Sequence, residues 1–261
     1  MCITTTNTGV TEIMLREPTT EKLRAMGLDA MAAAWNEQQG KPDIAGLSFD
    51  ERFAMLVDAE SLHRETKRLK AALRDAKLKL SSACLEDIEY SPKREIDRAQ
   101  LRQLAMCRWV AEHHNVLVTG ATGTGKTYIA CALAQQACRK GYRAIYRRAS
   151  RLFSELALAR ADGTYPRLLA KLARADVLVL DDWAIAPVAD SERRDLLEVL
   201  EDRYGTRSTI VTSQLPPKRW HEHIAEPTHA DAICDRLIHN AHKLVLKGPS
   251  KRKTEEQEND K

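Results

Sequence analysis

The sequence predicts an α/β protein in which helices cover both faces of a mostly parallel β-sheet, preceded by a small all-α N-terminal domain. Three observations lead to this prediction. From about residue 100 onwards, short apolar segments alternate with amphipathic ones, which is typical of parallel sheets. A glycine-rich loop joins the first apolar segment to the first amphipathic one. Up to about residue 90, the apolar residues recur with helical spacing.

The bulk composition indicates a globular protein. Of the 261 residues, 43% are hydrophobic and 30% are charged, and the formal net charge is +4. No apolar run approaches the roughly 18 residues of a membrane span, and the polar, Thr-rich N-terminus lacks the pattern of a signal peptide. The six cysteines include no C-x-x-C pair, which favours reduced thiols. We therefore expect a cytoplasmic protein without membrane association.

The N-terminal region is predicted to contain a disordered segment, residues 1–18, and then a helical domain, residues 19–90. A first helix is expected to begin at Pro18 and to continue past residue 30 without a break. A second, longer helix is expected to begin near Ser48, which stands at capping-box spacing from Glu51.

The longer helix is predicted to bury apolar residues near its start and to carry basic residues further on. Phe53, Leu56 and Val57 are expected to face inward. Between residues 64 and 79 there are seven basic residues and two acidic ones. Such a helix face can bind the phosphates of duplex DNA, although an ordinary solvated face has a similar composition. The candidate DNA-binding residues are Lys67, Arg68, Lys70, Arg74 and Lys77.

The following domain, residues 91–248, is predicted to alternate strands with helices, and the charged tail, residues 249–261, to be a solvated coil. The expected strands are 115–119, 142–147, 176–180, 209–212 and 243–246. The expected helices are 126–140, 150–160, 165–174, 190–204 and 230–240. Gly141 and Gly205 stand where glycines commonly end helices.

A phosphate-binding loop is the strongest functional signal. It consists of Gly120, Ala121, Thr122, Gly123, Thr124, Gly125, Lys126 and Thr127. A predicted strand precedes it and a predicted helix follows, the context that this motif requires. Glycines allow backbone N–H groups to point at phosphate oxygens, and the helix N-terminus adds partial positive charge. Lys126 is expected to reach the β- and γ-phosphates of ATP, and Thr127 to bind Mg²⁺.

Two carboxylates, Asp181 and Asp182, directly follow the apolar strand predicted at 176–180. In P-loop ATPases, acids at this place hold the metal ion and activate the attacking water. We expect Asp181 to hold Mg²⁺ and Asp182 to activate the water. Paired aspartates also begin ordinary turns, but the position of this pair, 55 residues after Lys126, favours the catalytic interpretation.

Further catalytic candidates follow in the chain. Ser213 and Gln214 end a predicted strand, where ligands of parallel sheets bind, so that either side chain can orient the attacking water. The alternative is a cap between strand and turn. Arg236 on a predicted helix is either an arginine finger for the ATP of a neighbouring subunit or the partner of Asp231 or Asp235 in a surface ion pair.

Together these motifs resemble the IstB-type transposition helper ATPases, relatives of the DnaC helicase loader within the AAA+ ATPases. The resemblance covers residues 20–253; the phosphate loop is generic, whereas 197–205, 208–216 and 230–242 are specific to the family. It implies an AAA+ ATPase that uses ATP and Mg²⁺, assembles as a homo-oligomer on duplex DNA and activates a cognate transposase. It also favours the finger role for Arg236.

Two departures from the family pattern stand out. The family usually ends in Gly-Glu-Ser-hydrophobic-Arg, whereas this chain has Pro249 after the glycine. Proline removes a backbone donor and stiffens the chain, so a γ-phosphate-sensing role is not assigned to Arg252. The second departure is Trp183, which follows the carboxylate pair where the family tends to have Phe.

Two other functions use similar motifs. A DnaC-like helicase loader shares the ATPase chemistry, but the N-terminal 90 residues resemble the transposition helpers. A metabolic kinase uses the same loop, but it also needs an acceptor pocket and usually a lid, and the sequence indicates neither. The carboxylate pair followed by a downstream arginine favours hydrolysis.

Overall fold

The computed structural model describes residues 18–41, 44, 46–90 and 96–250. The predictions for residues 1–17 and for the tail after residue 250, Arg252 included, lie outside the described residues. By its internal contacts the chain divides into two compact units, Met1–Lys70 and Ala71–Lys261. A functional boundary near residue 90 stays a prediction.

The first unit contains helix α1 (residues 18–25), helix α2 (Asp29–Gln39) and most of helix α3 (Phe49–Ala76). The prediction of one continuous helix from Pro18 past residue 30 was wrong. Gly27 has a φ of +71°, and this left-handed conformation ends the first helix.

Helix α2 receives its N-terminal cap from a residue distant in sequence. The Glu60 carboxylate on α3 accepts hydrogen bonds from the backbone N–H groups of Ala30 and Met31, at 3.0 and 3.1 Å. Arg64 donates to the same carboxylate at 2.8 Å. These contacts, Arg64 first, lower the pKa of Glu60. A buried carboxylate thus satisfies N–H groups that no residue next to the helix caps.

Helix α3 begins as predicted but exposes more apolar surface than expected. Ser48 and Glu51 form the capping box, with hydrogen bonds of 2.8 and 3.3 Å. Leu56 is buried, but Phe53 and Val57 are 51% and 42% exposed, so the prediction that all three face inward was wrong. Among the described residues of the first unit, α1 and α2 leave these two side chains largely uncovered.

The second unit is built around a five-stranded parallel sheet. Its strands are β1 (Asn115–Gly120), β2 (Ala144–Arg148), β3 (Val177–Trp183), β4 (Ser208–Ser213) and β5 (Ala241–Leu246). Their spatial order is β2-β3-β4-β1-β5. All five lie within a few residues of the predicted strands, and the predicted fold class is confirmed.

Eight α-helices follow α3 in the described part of this unit. They are α4 (Arg98–Ala105), α5 (Arg108–Ala111), α6 (Lys126–Arg139), α7 (Ala149–Asp162), α8 (Tyr165–Ala173), α9 (Asp190–Glu201), α10 (Trp220–Ile224) and α11 (Pro227–Ile238). Gly141 and Gly205 follow α6 and α9 with φ of +88° and +66°, as predicted. Helices α4, α5 and α10 were not predicted, because each is short.

Both faces of the sheet are covered. Leu178 and Leu180 point into a core that also contains residues of α7, α9 and α11. Since side chains alternate along a strand, Val177 and Val179 lie on the other face; α6 packs against β3. The carboxyl ends of β1, β3 and β4 therefore meet at one edge of the sheet, beside the start of α6. None of the described helices is long and apolar enough to cross a membrane.

Candidate nucleotide-binding site

The predicted phosphate loop connects β1 to α6, and glycines give it its shape. Gly120, Gly123 and Gly125 have φ of +151°, +81° and +93°, a region that other residues rarely adopt. A Cβ added to Gly120 would lie 2.4 Å from the carbonyl oxygen of Leu246 on β5. No larger residue fits there without moving the neighbouring strand.

The loop leads directly into the N-terminus of α6. Gly125 is the N-cap residue of the helix and has no side chain to cap it. The N–H groups of the first helical turn and the helix dipole both favour a bound anion at this end. The Thr124 hydroxyl donates to the carbonyl oxygen of Ala121 at 2.8 Å, which braces the loop from within.

Lys126 lies across the loop with its side chain largely buried. Its Nζ donates to the carbonyl oxygens of Gly120 and Ala121, both at 2.8 Å. The residue also lines a cavity of about 350 Å³ together with Thr122, Gly123 and Thr127. An ammonium group beside such a cavity is suited to bind the phosphates of a nucleotide.

Asp181, at the end of β3, is completely buried and accepts hydrogen bonds from three hydroxyl groups. Thr127 Oγ1 lies 3.0 and 3.1 Å from its two carboxylate oxygens. Tyr146 on β2 donates at 2.6 Å, and Thr212 on β4 at 2.5 Å. Burial, and then the bond to Asp181, raise the pKa of Tyr146, so the phenol stays protonated as a donor. Three elements fix this carboxylate in place.

Thr127 and Asp181 form an oxygen donor set of the kind that Mg²⁺ prefers. Their contact brings a hydroxyl and a carboxylate together at the start of α6, next to the phosphate loop. Magnesium completes its coordination with water and nucleotide oxygens in such sites, so two protein ligands are enough. The residues present therefore fit the predicted metal ion.

Asp182 has a distorted backbone and faces the cavity. Its φ is +59°, and the pairing of β3 with β4 shifts register between Leu180 and Trp183. Such a bulge re-aims a side chain. The Asp182 N–H donates to Thr212 Oγ1 at 2.9 Å, and its carboxylate pairs with Arg148 Nε at 2.9 Å. Asp182 lines the same cavity as Lys126.

Ser213 and Gln214 have different surroundings, although they are adjacent. The Ser213 hydroxyl donates to the Trp183 carbonyl oxygen at 2.9 Å and accepts from the Leu215 N–H at 3.1 Å. Those bonds favour the alternative of a cap between strand and turn. Gln214 lines the cavity, and its Oε1 accepts from Thr122 of the phosphate loop at 2.9 Å. Of the two, Gln214 is the better placed to orient water.

Arg236 lies on α11 and is not among the residues that line the nucleotide cavity of its own chain. Its guanidinium pairs with Glu201 at the end of α9 and donates to the Ala232 carbonyl oxygen at 2.9 Å. The expected surface partners, Asp231 or Asp235, were wrong, because the ion-pair partner comes from the neighbouring helix. The finger role stays a prediction.

The candidate DNA-binding residues are exposed along α3 and just after it. Lys67, Arg68, Lys70, Arg74 and Lys77 are all exposed. Arg74 pairs with its neighbour Asp75 at 3.1 Å. Lys67, Arg68 and Lys70 form no ion pair with any residue of the described ranges, so their charges are available to a polyanion.

Sequence reasoning missed three residues that contact the carboxylate pair: Tyr146, Arg148 and Thr212. Each reaches Asp181 or Asp182 from a neighbouring strand, and strand order is not written in the sequence. The only local signal is their position near the carboxyl ends of predicted strands, where site residues of parallel sheets gather.

Comparison with protein families places the chain among ATP-binding proteins of insertion sequences. The family model described as "IstB-like ATP binding protein" matches residues 21–259. Protein y4pL of Sinorhizobium fredii, named as an insertion sequence ATP-binding protein, is 46% identical over 242 residues, which is 93% of this chain and 98% of that protein. The ATP-binding protein of insertion sequence IS1162 from Pseudomonas fluorescens is 48% identical over 203 residues, 78% of this chain and 88% of that protein.

Solved structures support the fold. The structure of DnaI is similar with a TM-score of 0.55 and 22% identity, covering 68% of this chain and 94% of that one. AMPPCP-bound DnaA from Aquifex aeolicus has a TM-score of 0.55 and 18% identity, covering 69% and 55%. At these identities the likeness concerns the ATPase fold alone.

Proposed function

Because the chain belongs to the family of IstB-like ATP-binding proteins, we propose that it is an ATPase that assembles with copies of itself on duplex DNA and assists a transposase. The observation that carries the ATPase part is the joining of the phosphate loop to a buried carboxylate. Thr127 Oγ1 lies 3.0 Å from Asp181, so the residues suited to hold a metal ion lie directly beside the phosphate loop.

In this proposal the loop binds the phosphates, and Lys126 leaves its two carbonyl partners to neutralise them. Magnesium, when bound, would withdraw charge from the terminal phosphates and make the phosphorus easier to attack. Thr127 and Asp181 would hold the metal ion, and the hydroxyls of Tyr146 and Thr212 keep the carboxylate in one orientation. Positioning and charge stabilisation supply most of the catalysis in phosphoryl transfer.

In this proposal Asp182 activates the attacking water, and Gln214 orients it. The Asp182 carboxylate lines the cavity and is ion-paired with Arg148 at 2.9 Å. A carboxylate in this position can accept a proton from a water molecule that attacks the γ-phosphate. Gln214, hydrogen-bonded to the phosphate loop, can donate or accept a hydrogen bond to orient that water.

DNA binding and the transposase partner are the further parts of the proposal. The exposed basic residues of α3 suit the phosphates of any duplex. The relatives are named for insertion sequences, and an insertion sequence moves by transposition; these names favour a transposase partner over a replicative helicase. The likeness to DnaI concerns the fold, which a helicase loader and a transposition helper share.

The proposal is tested by measuring ATP hydrolysis of the full chain with and without duplex DNA. We expect DNA to stimulate hydrolysis by the wild type. Lys126→Ala should abolish hydrolysis and greatly weaken binding of a fluorescent ATP analogue, because the phosphates lose their main cationic partner. Lys140→Ala at the exposed end of the same helix is the matched control and should behave as wild type. Unchanged nucleotide affinity in Lys126→Ala would contradict the phosphate-loop assignment.

A further inference from the structure

Lys79 lies in the nucleotide cavity, although it belongs to no recognised motif. It lines the same space of about 350 Å³ as Lys126, Thr127 and Asp182. Its Nζ lies 4.0 Å from Oδ2 of Asp181, and its side chain is 45% exposed. A second ammonium group therefore stands on the side of the cavity where the carboxylates are.

The segment that carries Lys79 is fastened to α6. The Tyr128 hydroxyl accepts from the Cys84 N–H at 3.4 Å and donates to the Cys84 carbonyl oxygen at 3.2 Å. Arg139 at the other end of α6 pairs with Glu86 at 2.7 Å. Since α6 begins with Lys126, these contacts hold the segment after α3 in a fixed position beside the phosphate loop.

Lys79 is not needed to satisfy Asp181. That carboxylate already accepts from three hydroxyls, those of Thr127, Tyr146 and Thr212, at 2.5 to 3.1 Å. At 4.0 Å the ammonium group is too far away for a hydrogen bond. Within the described part of the chain no residue accepts a hydrogen bond from Lys79 Nζ, so its donors can serve a molecule in the cavity.

The charges of the site indicate which ligand group the Lys79 ammonium group is suited to bind. A nucleoside triphosphate brings several negative charges next to two carboxylates, Asp181 and Asp182, and like charges at such distances repel strongly in a partly buried site. Lys126 supplies one compensating cation from the loop side, and Lys79 supplies another from the side of the two carboxylates.

We propose that Lys79 binds the γ-phosphate of ATP, so that the site distinguishes ATP from ADP through a residue outside the phosphate loop. The inference rests on the proposed ATP binding at that loop.

The test is a titration of the full chain with fluorescent analogues of ATP and of ADP in the presence of Mg²⁺. Lys79→Ala should weaken ATP binding by about tenfold or more, the effect of losing one charge-assisted contact, and should leave ADP binding near the wild-type value. Lys79→Arg should restore much of the ATP affinity. The matched control is Lys140→Ala, which is exposed at the far end of α6 and is not among the residues that line this cavity; it should bind both nucleotides as wild type does.

Two results would overturn the inference: wild-type affinity for both nucleotides in Lys79→Ala, or an equal loss for both. Thermal unfolding of each variant checks that the fold is kept. Lys126→Ala in the same titration separates this outcome from a failure of the proposed function. If Lys126→Ala loses binding while Lys79→Ala does not favour ADP, only the role of Lys79 is wrong; if Lys126→Ala binds normally, the nucleotide site itself is wrongly placed.

Discussion

Among single residues, Asp181 and Asp182 differ most in what surrounds them. Asp181 is buried and held by three hydroxyls, whereas Asp182 reaches the cavity from a left-handed backbone and pairs with an arginine. A carboxylate locked by neighbouring hydroxyls suits a metal ligand, whose orientation must be fixed. A carboxylate at the cavity wall suits a base, which must meet water.

This difference predicts opposite defects for two isosteric variants. Asp182→Asn should keep ATP bound and slow single-turnover hydrolysis by roughly 10²–10⁴-fold, because an amide cannot accept the proton of the water. Asp181→Asn should instead weaken the binding of Mg²⁺-ATP and raise the Mg²⁺ concentration needed for half-maximal binding. Asp190→Asn, at an exposed position, serves as control. A wild-type rate in Asp182→Asn would assign the base to another group, and Gln214 would be examined next for orienting the water.

The residues of the site could be predicted where the chemistry is contiguous in sequence. Gly120 to Thr127 and the Asp181–Asp182 pair have defined spacings and stand next to recognisable strands. Tyr146 and Thr212 could not be predicted, because they reach Asp181 only through the order β2-β3-β4. Ser213 stands at the end of a strand, where a residue that orients water was expected, but its hydroxyl donates to the Trp183 carbonyl oxygen at the bulge of β3.

Among the elements, the end of α8 and the start of β4 are joined by one buried arginine that follows α9 in the chain. Arg203 is 1% exposed. Its guanidinium donates to the carbonyl oxygens of Leu172 and Ala175, at 2.6 and 2.8 Å, and to that of Ser208. The end of α8 and the start of β4 are thereby tied together at the amino end of the sheet. This gives a structural reason for an arginine in the family-specific stretch 197–205.

Arg203→Met should therefore destabilise the second unit. The substitution keeps an apolar stem of similar length but removes three charge-assisted hydrogen bonds to the carbonyls of buried residues, at a cost of about 3 kcal/mol or more. In a domain of this size the unfolding midpoint should fall by at least about 6 °C in thermal denaturation. Arg207→Met, at a nearby and more exposed arginine, should shift the midpoint much less. Equal midpoints for the two variants would contradict the tie.

Helix α3 supplies a second prediction at this scale, for DNA binding. Changing Lys67, Arg68, Lys70 and Arg74 together to Gln should weaken the binding of unrelated duplexes to a similar extent. Each lost phosphate contact should reduce the log–log salt slope by about 0.9, as measured by fluorescence anisotropy over a salt series. The comparison variant changes three exposed basic residues of α8 and its C-cap: Arg167, Lys171 and Arg174. If only that variant loses affinity, the DNA surface lies in the second unit.

The limits of prediction for elements are visible in α1 and α2. Periodicity located the helical residues, but it did not locate the break at Gly27, since a glycine can also continue a helix at moderate cost. In the second unit the prediction came close because each strand is a short apolar run and glycines mark two helix ends. Burial on α3 was predicted poorly, because the described residues of the first unit leave Phe53 and Val57 51% and 42% exposed.

At the scale of the whole molecule, the position of Arg236 raises the question of self-assembly. It does not line the nucleotide cavity of its own chain, and it is held by Glu201 and by a backbone carbonyl. An arginine that stabilises the γ-phosphate must therefore act on another copy, and in doing so it must leave Glu201. If Arg236 acts on another copy, the functional ATPase is an oligomer. If Arg236 stays paired with Glu201, its role is structural.

Two variants distinguish the finger role of Arg236 from the structural role. Arg236→Ala should spare nucleotide binding and reduce DNA-stimulated hydrolysis on the order of 10³-fold or more. Glu201→Gln removes the partner within the chain but keeps the arginine. A finger needs only the arginine, so Glu201→Gln should retain hydrolysis; a structural ion pair needs both residues, so the two variants should then behave alike.

The most direct test of assembly into a functional ATPase is hydrolysis by a mixture of two inactive proteins. Arg236→Ala protein keeps an intact phosphate loop, and Lys126→Ala protein keeps an intact finger. When the two are mixed on duplex DNA, interfaces that pair the intact halves should recover measurable ATP hydrolysis, rising with the fraction of mixed oligomers. If mixing restores nothing although co-assembly on DNA is demonstrated, the shared site does not exist, and Arg236 is only the ion-pair partner of Glu201.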